Sequence, residues 1–480
     1  MLPGVAFAQA NYDGVILGGR TAMMGGAAVA KGSDGATAFV NPAGLIRIPG
    51  ESFAFSTVAM QATSRTVNSR LDPTGALGLD PQPTQEFNLR ILPNTFCLFL
   101  DGPPKDDYSG RSRHKYGLCV ANTENQDFTL SNNLQGAPLA NANTAAAVST
   151  QMLFNRTSVA FAWGFELFEG TSIGVTARVD HSSLFDQTAS NVFARFGTQA
   201  GMHSMTHIRQ GTSWDSSVTV GLTQEISRVV TLGVSLATPT LHLLGGYRGS
   251  DVLAATAGDA SSLVQDTGDF RYNQPSTLRM GLAFAWPMLN FEVNGNFYGA
   301  QEVLARAKFD RVRTLTQEGA LLGQTDQQGA LTERSRPVVN LAAGLEAFLE
   351  PDFSVIGGIQ TDFSGLEARR EARADQTLFR QRMDTIHGAV GVVSYGSAGS
   401  LLLGFRGFYS HGDILLPDAT REVGYFVPVG QSQFGLSFVI SGQISFEAVR
   451  DTAVRAAKPL VKKKRGDNED EATDGEEAQP

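Results

Sequence analysis

Arg178, Arg279 and Arg406 stand on the small, polar phase of alternating runs, and Phe408 follows in the same phase two residues after the last. A guanidinium held away from bulk water can grip a carboxylate through charge-assisted hydrogen bonds. A ring beside it suits the organic part of such an acid. The same phase also carries Glu166, Asp180, Glu292, Glu346 and Asp362, which could pair with those arginines and balance buried charge instead. Bond-breaking chemistry finds little support. His203 and His207 are four apart in MHSMTH, without the glutamate that a helical zinc-protease site needs. His387 and His411 lie near strand ends, but no Gly-x-Ser-x-Gly setting supplies a nucleophile for them. The glycine-rich Gly18–Gly26 (GGRTAMMGG) lacks the Lys-Ser/Thr of a phosphate loop. The expectation is therefore no enzyme, no metal and no cofactor.

The elements that would position these residues announce themselves through period-two alternation. In Thr157–Leu167 the odd positions are Val159, Phe161, Trp163, Phe165 and Leu167, against Ser158, Ala160, Ala162, Gly164 and Glu166. Thr277–Trp286 and Phe434–Phe446 repeat the pattern. In a water-soluble sandwich or propeller the second face would usually carry lysine and glutamate, and a propeller would also show a blade-length repeat. Here that face holds mostly small residues with isolated charges, and no such repeat is found. A bulky uncharged face against a face of Gly, Ala, Ser and Thr fits lipid outside and a crowded polar lumen inside.

About fourteen such runs follow, near 51–64, 86–100, 113–124, 154–167, 171–182, 212–225, 229–245, 275–287, 290–306, 335–348, 353–365, 383–395, 400–411 and 431–446. Each reaches the ~9–11 residues that a tilted strand needs to cross a bilayer. Short links alternate with long polar stretches near 125–153, 183–211, 246–274, 307–334, 366–382 and 412–430, which read as outer loops. The expected fold is an all-β transmembrane barrel of about 14 antiparallel strands over residues 50–446. An even strand count places both chain ends on the short-turn, periplasmic side.

Composition agrees. Of 480 residues 52 are glycine, charged residues make up 18%, and no apolar run is long enough for a transmembrane helix. Residues 1–10 end in Ala8-Gln9-Ala10 and read as the remnant of an export signal. Residues 447–480 carry a basic block (KPLVKKKR) and then an acidic one, and read as a disordered periplasmic tail with a partner of its own as one option. The net charge of −9 argues against a nucleic-acid partner. Cys97 and Cys119, on neighbouring runs, could be bonded or could be two free core thiols.

Residues 11–49 precede the first strand and are too rich in Gly and Ala for a stable helix, yet too apolar for a solvated loop. Folded into the lumen, they would plug an otherwise open hole. Pro42 fixes its own φ and biases Asn41 away from helix, so Asn-Pro-Ala-Gly makes a rigid corner. The stretch GGRTAMMGGAAVAKGSDGATAFVNPAGL resembles the N-terminal signature of the FadL/TodX family of outer-membrane transporters for hydrophobic compounds, whose Asn-Pro-Ala motif falls on Asn41, Pro42 and Ala43. The resemblance implies a hatch inside a fourteen-stranded barrel, a bacterial outer-membrane location, and contact with outer-membrane lipids and lipopolysaccharide.

It also implies passive uptake of long-chain fatty acids or aromatic hydrocarbons. Each CH₂ resists water by about 0.8 kcal/mol, so a greasy lumen and a sideways exit through a wall gap would serve such ligands. The outer stretches Ser182–Phe196 and Val252–Phe270 are the expected capture surface, with Phe185, Phe193 and Leu253 as its apolar contacts. Gly117 in the third strand is the expected bend at the gap. The alternative function is a non-transport scaffold of the same architecture, linked to secretion or envelope assembly.

Overall fold

The computed structural model describes residues 11–15, 17–68, 83–103, 112–135, 142–196, 199–255, 261–317, 320–367, 372–373, 377–417 and 425–447. The export-signal remnant and the tail from residue 448 lie outside the described residues, as does the side chain of Phe193. Two short helices, α1 (Gly19–Met23) and α2 (Thr37–Val40), and a 3-10 turn, Pro42–Arg47, precede the strands. The first strands are β1 (Ser52–Asn68), β2 (Pro83–Asp101), β3 (His114–Gln135), β4 (Ala142–Phe168), β5 (Thr171–Phe196), β6 (Gln199–Glu225), β7 (Val230–Ala237), β8 (Leu241–Ala255), β9 (Ser261–Tyr272) and β10 (Thr277–Trp286). Then come β11 (Leu289–Tyr298), β12 (Gln301–Gln317), β13 (Ala320–Ser335), β14 (Val338–Glu350), β15 (Phe353–Asp362), β16 (Ala372–Arg373), β17 (Gln381–Gly396), β18 (Gly399–Pro417) and β19 (Tyr425–Ser445).

Fourteen of these, β1 to β7, β10, β11, β14, β15 and β17 to β19, form an antiparallel ring that closes where β19 pairs with β1. The ends of the ring meet as expected: the Phe446 amide donates to the Glu51 carbonyl at 3.0 Å. The bulky phase faces outward. Phe161, Met280, Leu341, Ile359 and Phe405 are exposed, while Ala160, Ala162, Thr176 and Thr219 are buried. Rings gather near the short turns on the outward face: Trp163 stacks on Phe165, and Phe284 on Trp286. Such an aromatic belt is the mark of a membrane-facing wall.

Among the described residues, five of the six long polar stretches are strand rather than loop, the exception being 366–382. β5 and β6 stay paired from Thr171↔Gln224 to Phe196↔Gln199, and β3 and β4 pair out to Gln135↔Ala145. At about 3.3 Å per residue β5 runs roughly 85 Å, about twice what a ~30 Å hydrocarbon layer requires of a tilted strand. Beyond the membrane band these arms stand in water, so the apolar phase reverses. In β4, Val159 and Phe161 point out, but Met152 and Phe154, on the opposite parity, are buried. Phe128, Leu184, Phe270, Phe309 and Leu331 join them in a core enclosed by the arms.

Two expected runs, 229–245 and 290–306, break, between β7 and β8 and between β11 and β12, and β9 parts from β10, and β13 from β14, in the same way. Pro239, Pro275 and Pro337 sit in three of these breaks. Proline cannot donate to a ladder, so the strand yields there and β6 changes partner from β7 to β8.

Cys97 and Cys119 are bonded to each other, directly opposite on β2 and β3 with Cα atoms 4.1 Å apart. That settles the open choice from the sequence in favour of the disulfide.

Candidate functional site: the enclosed lumen

Residues 11–50 touch the ring on every side. Gly18 reaches Thr95 on β2, Thr176 on β5 donates to the Ala38 carbonyl at 2.7 Å, and Ser235 on β7 donates to the Val40 carbonyl at 2.6 Å. Glu292 on β11 accepts from the Ala30 and Lys31 amides, and Glu346 on β14 binds Arg20 at 2.7 Å. Asn11 donates to the Asp362 carbonyl on β15, and Arg406 on β18 donates to the Gly14 carbonyl. These partners lie on seven strands of the ring, β2, β5, β7, β11, β14, β15 and β18.

The Asn-Pro-Ala corner is built as its residue types demand. Asn41 is fully buried, with extended backbone, and caps the 3-10 turn by accepting from the Ala43 amide. Its amide nitrogen donates to the carbonyls of Val29 (2.7 Å) and Leu222 (3.2 Å). Pro42, as the first residue of the turn, has no N–H to leave unpaired. The wall makes room with glycine. A Cβ on Gly174 would overlap the Pro42 backbone, and one on Gly221 would overlap the Asn41 side chain.

The three arginines converge on one small cavity, about 70 Å³, between this segment and the wall. Tyr12 and Tyr298, stacked at 4.5 Å, form one side of it. Arg178 is paired with Asp180 at 3.2 Å, as charge balance suggests. The Arg406 guanidinium instead binds the Gly14 carbonyl and Gln360. Arg279 lies over the Tyr298 ring, 5.9 Å from its centroid, and none of the described carboxylates pairs with it. The lumen acids mostly serve the N-terminal segment: Glu346 takes Arg20, Glu292 takes backbone amides, and Asp362 takes the Asp13 amide. Only Asp180 takes one of the three arginines in an ion pair among the described residues, and no such pair is found for Glu166.

Arg406 also borders a second cavity of about 180 Å³, together with Phe408, Met383, Arg65 and Glu124. His387 lines it too, buried and tilted against Phe408 at 6.0 Å, with both ring nitrogens free of protein partners. The composition of the sequence held no sign of this histidine's setting.

Two expectations do not hold. Phe185 and Leu253 form no common surface. Phe185 sits between the inward Leu184 and Asp186 and so points outward, whereas Leu253 packs with the buried Met205, Leu415 and Phe426. The stretches that carry them are strands of the arms. Nor does the wall open at Gly117, which is paired to Phe99 on one side and Ala162 on the other. Its missing Cβ accommodates the Phe99 ring and Leu45 rather than a bend.

The wall parts a few residues further on. The β2–β3 ladder ends at Thr95↔Ala121, although β2 continues on β1 to Pro83↔Asn68 and β3 continues on β4. At that level Thr123 bulges out of register between Asn122 and Glu124. A bulge bends its strand and ends pairing. Asn94 on one side and Asn122 and Glu124 to Asp127 on the other border the 180 Å³ cavity, so the seam abuts it.

No protein-family model matches the sequence, and no curated protein does. Solved structures match along nearly the whole chain. A Pseudomonas aeruginosa FadL homologue superimposes with a TM-score of 0.55 at 12% identity, covering 92% of this chain and 100% of its own. The Pseudomonas putida toluene transporter TodX gives 0.54 at 12%, covering 91% and 99%. The Ralstonia pickettii toluene transporter TbuX gives 0.50 at 14%, covering 91% and 99%. The fourteen-stranded barrel of this chain is the fold of the FadL/TodX transporters.

Proposed function

We propose that this chain is a bacterial outer-membrane barrel for passive uptake of hydrophobic compounds, with residues 11–49 as its hatch. The observation that carries the reading is a lumenal cavity, bounded by the N-terminal segment, that abuts an unpaired seam in the wall. A greasy compound would pass from the outer arms into this cavity and leave sideways at the β2–β3 seam. That route spares it the aqueous path that costs about 0.8 kcal/mol per CH₂. The solved neighbours named above include toluene transporters, which supports hydrophobic cargo as a class. Long-chain fatty acids and aromatic hydrocarbons are both candidates. Arg279 and Arg406 would hold the carboxylate of the former, with Arg178 held on Asp180 beside them and Phe408 along the path.

The test is uptake of a labelled long-chain fatty acid and of labelled toluene by the Arg279→Ala/Arg406→Ala variant. Losing one charge-assisted anchor of about 1.4 kcal/mol should slow fatty-acid uptake roughly tenfold. Toluene, which carries no charge, should enter as before. Unchanged fatty-acid uptake would discard the anchor.

A further inference from the structure

Four residues that precede β17 are buried inside the arms. Thr377, Leu378, Phe379 and Arg380 are each at least 97% buried. Their partners come from around the ring. Glu333 on β13 accepts from the Thr377 hydroxyl (3.0 Å) and from the amides of Leu378 (2.7 Å) and Phe379 (3.4 Å). Arg209 on β6 donates to the Thr377 carbonyl. The Phe379 ring meets Phe154 on β4 and Tyr272 on β9 edge-on, at 5.8 Å from each. Arg380 binds Asp186 on β5 at 2.6 Å and lies over Phe426 on β19 at 4.5 Å. Contacts from β4, β5, β6, β9, β13 and β19 mean that the tetrapeptide crosses the space inside the arms. Gln381 and Met383, directly after it, line the 180 Å³ cavity.

We propose that Thr377–Arg380 is an outer latch: a closure distinct from the N-terminal segment, which a compound from outside must displace before it reaches the cavity. Two features suit a latch rather than a fixed part of the core. None of its four residues belongs to a strand, so it can leave without breaking a ladder of the barrel. It is fastened at its ends by two carboxylates, Glu333 and Asp186, whose bonds exchange readily for water once exposed. The latch concerns access to the cavity, whatever the cargo, so it can fail while the uptake reading stands.

The test uses the full chain purified in detergent, with Met383→Cys as the reporter; both native cysteines are bonded to each other. Reaction with a charged maleimide reports access to the cavity. In the Arg380→Ala and Leu378→Ser/Phe379→Ser backgrounds labelling should run at least about tenfold faster than with the latch intact. Folding is read separately from resistance of the barrel to unfolding in SDS at room temperature; should Arg380→Ala fail it, the double serine variant decides. Folded variants that label no faster than the latched protein would overturn the proposal. So would rapid labelling with the latch intact.

Discussion

Replacing Asn41 and Pro42 by alanine should leave a folded barrel with a leaking lumen. Asn41 satisfies the Ala43 amide and the Val29 carbonyl, and both are buried with it. Each buried polar group left without a partner costs roughly 1–3 kcal/mol. Losing Pro42 also frees the corner to sample other backbone angles. The barrel has no such dependence, because β5, β6 and β7 are held by their own ladders at Gly174↔Gly221 and Thr223↔Gly233. Ion conductance in planar bilayers should rise at least about tenfold, because a lumen this wide is a pore once unplugged. Gly221→Leu should do the same from the other side, since its side chain would occupy the place of the Asn41 amide. If either change abolishes barrel assembly, the corner is a folding element and not a hatch.

Deleting Thr123 should separate binding from release. Without the bulged residue, Asn122 and Glu124 would follow each other in register on Thr157 and Arg156. A straight β3 could then continue its ladder with β2 past Thr95↔Ala121, closing the seam with backbone hydrogen bonds. Ligand should still copurify in the 180 Å³ cavity, but transfer into the membrane should fall by about tenfold or more, as blocking a hydrophobic ligand's only dry exit requires. Full transfer with the seam closed would place the exit elsewhere.

Much of this was legible in the sequence, for a definite reason. In the membrane band each wall strand needs bulky residues against lipid and small ones within, so alternation exposes both the strands and their faces. The arms obscured themselves because their apolar residues turn inward. The parity switch in β4, from Phe161 outward to Phe154 inward, marks the water boundary but reads as a lost signal when only one phase is followed. The lumen phase of the three arginines is legible in the sequence, but their convergence is not, since β5, β10 and β18 are brought together only by closure and by the N-terminal segment. The seam is set by a one-residue register shift at Thr123, which no composition betrays. Phe185 and Leu253 look alike as isolated hydrophobes, and nothing local says that their strands present opposite faces.

The most direct measurement is uptake of labelled long-chain fatty acids and monoaromatic hydrocarbons by cells that lack this chain, with and without the gene restored. Entry of at least one of these compounds should be slowed without the chain, and recovered by the intact protein but not by the Thr123 deletion. Equal entry of every compound in all three strains would contradict it.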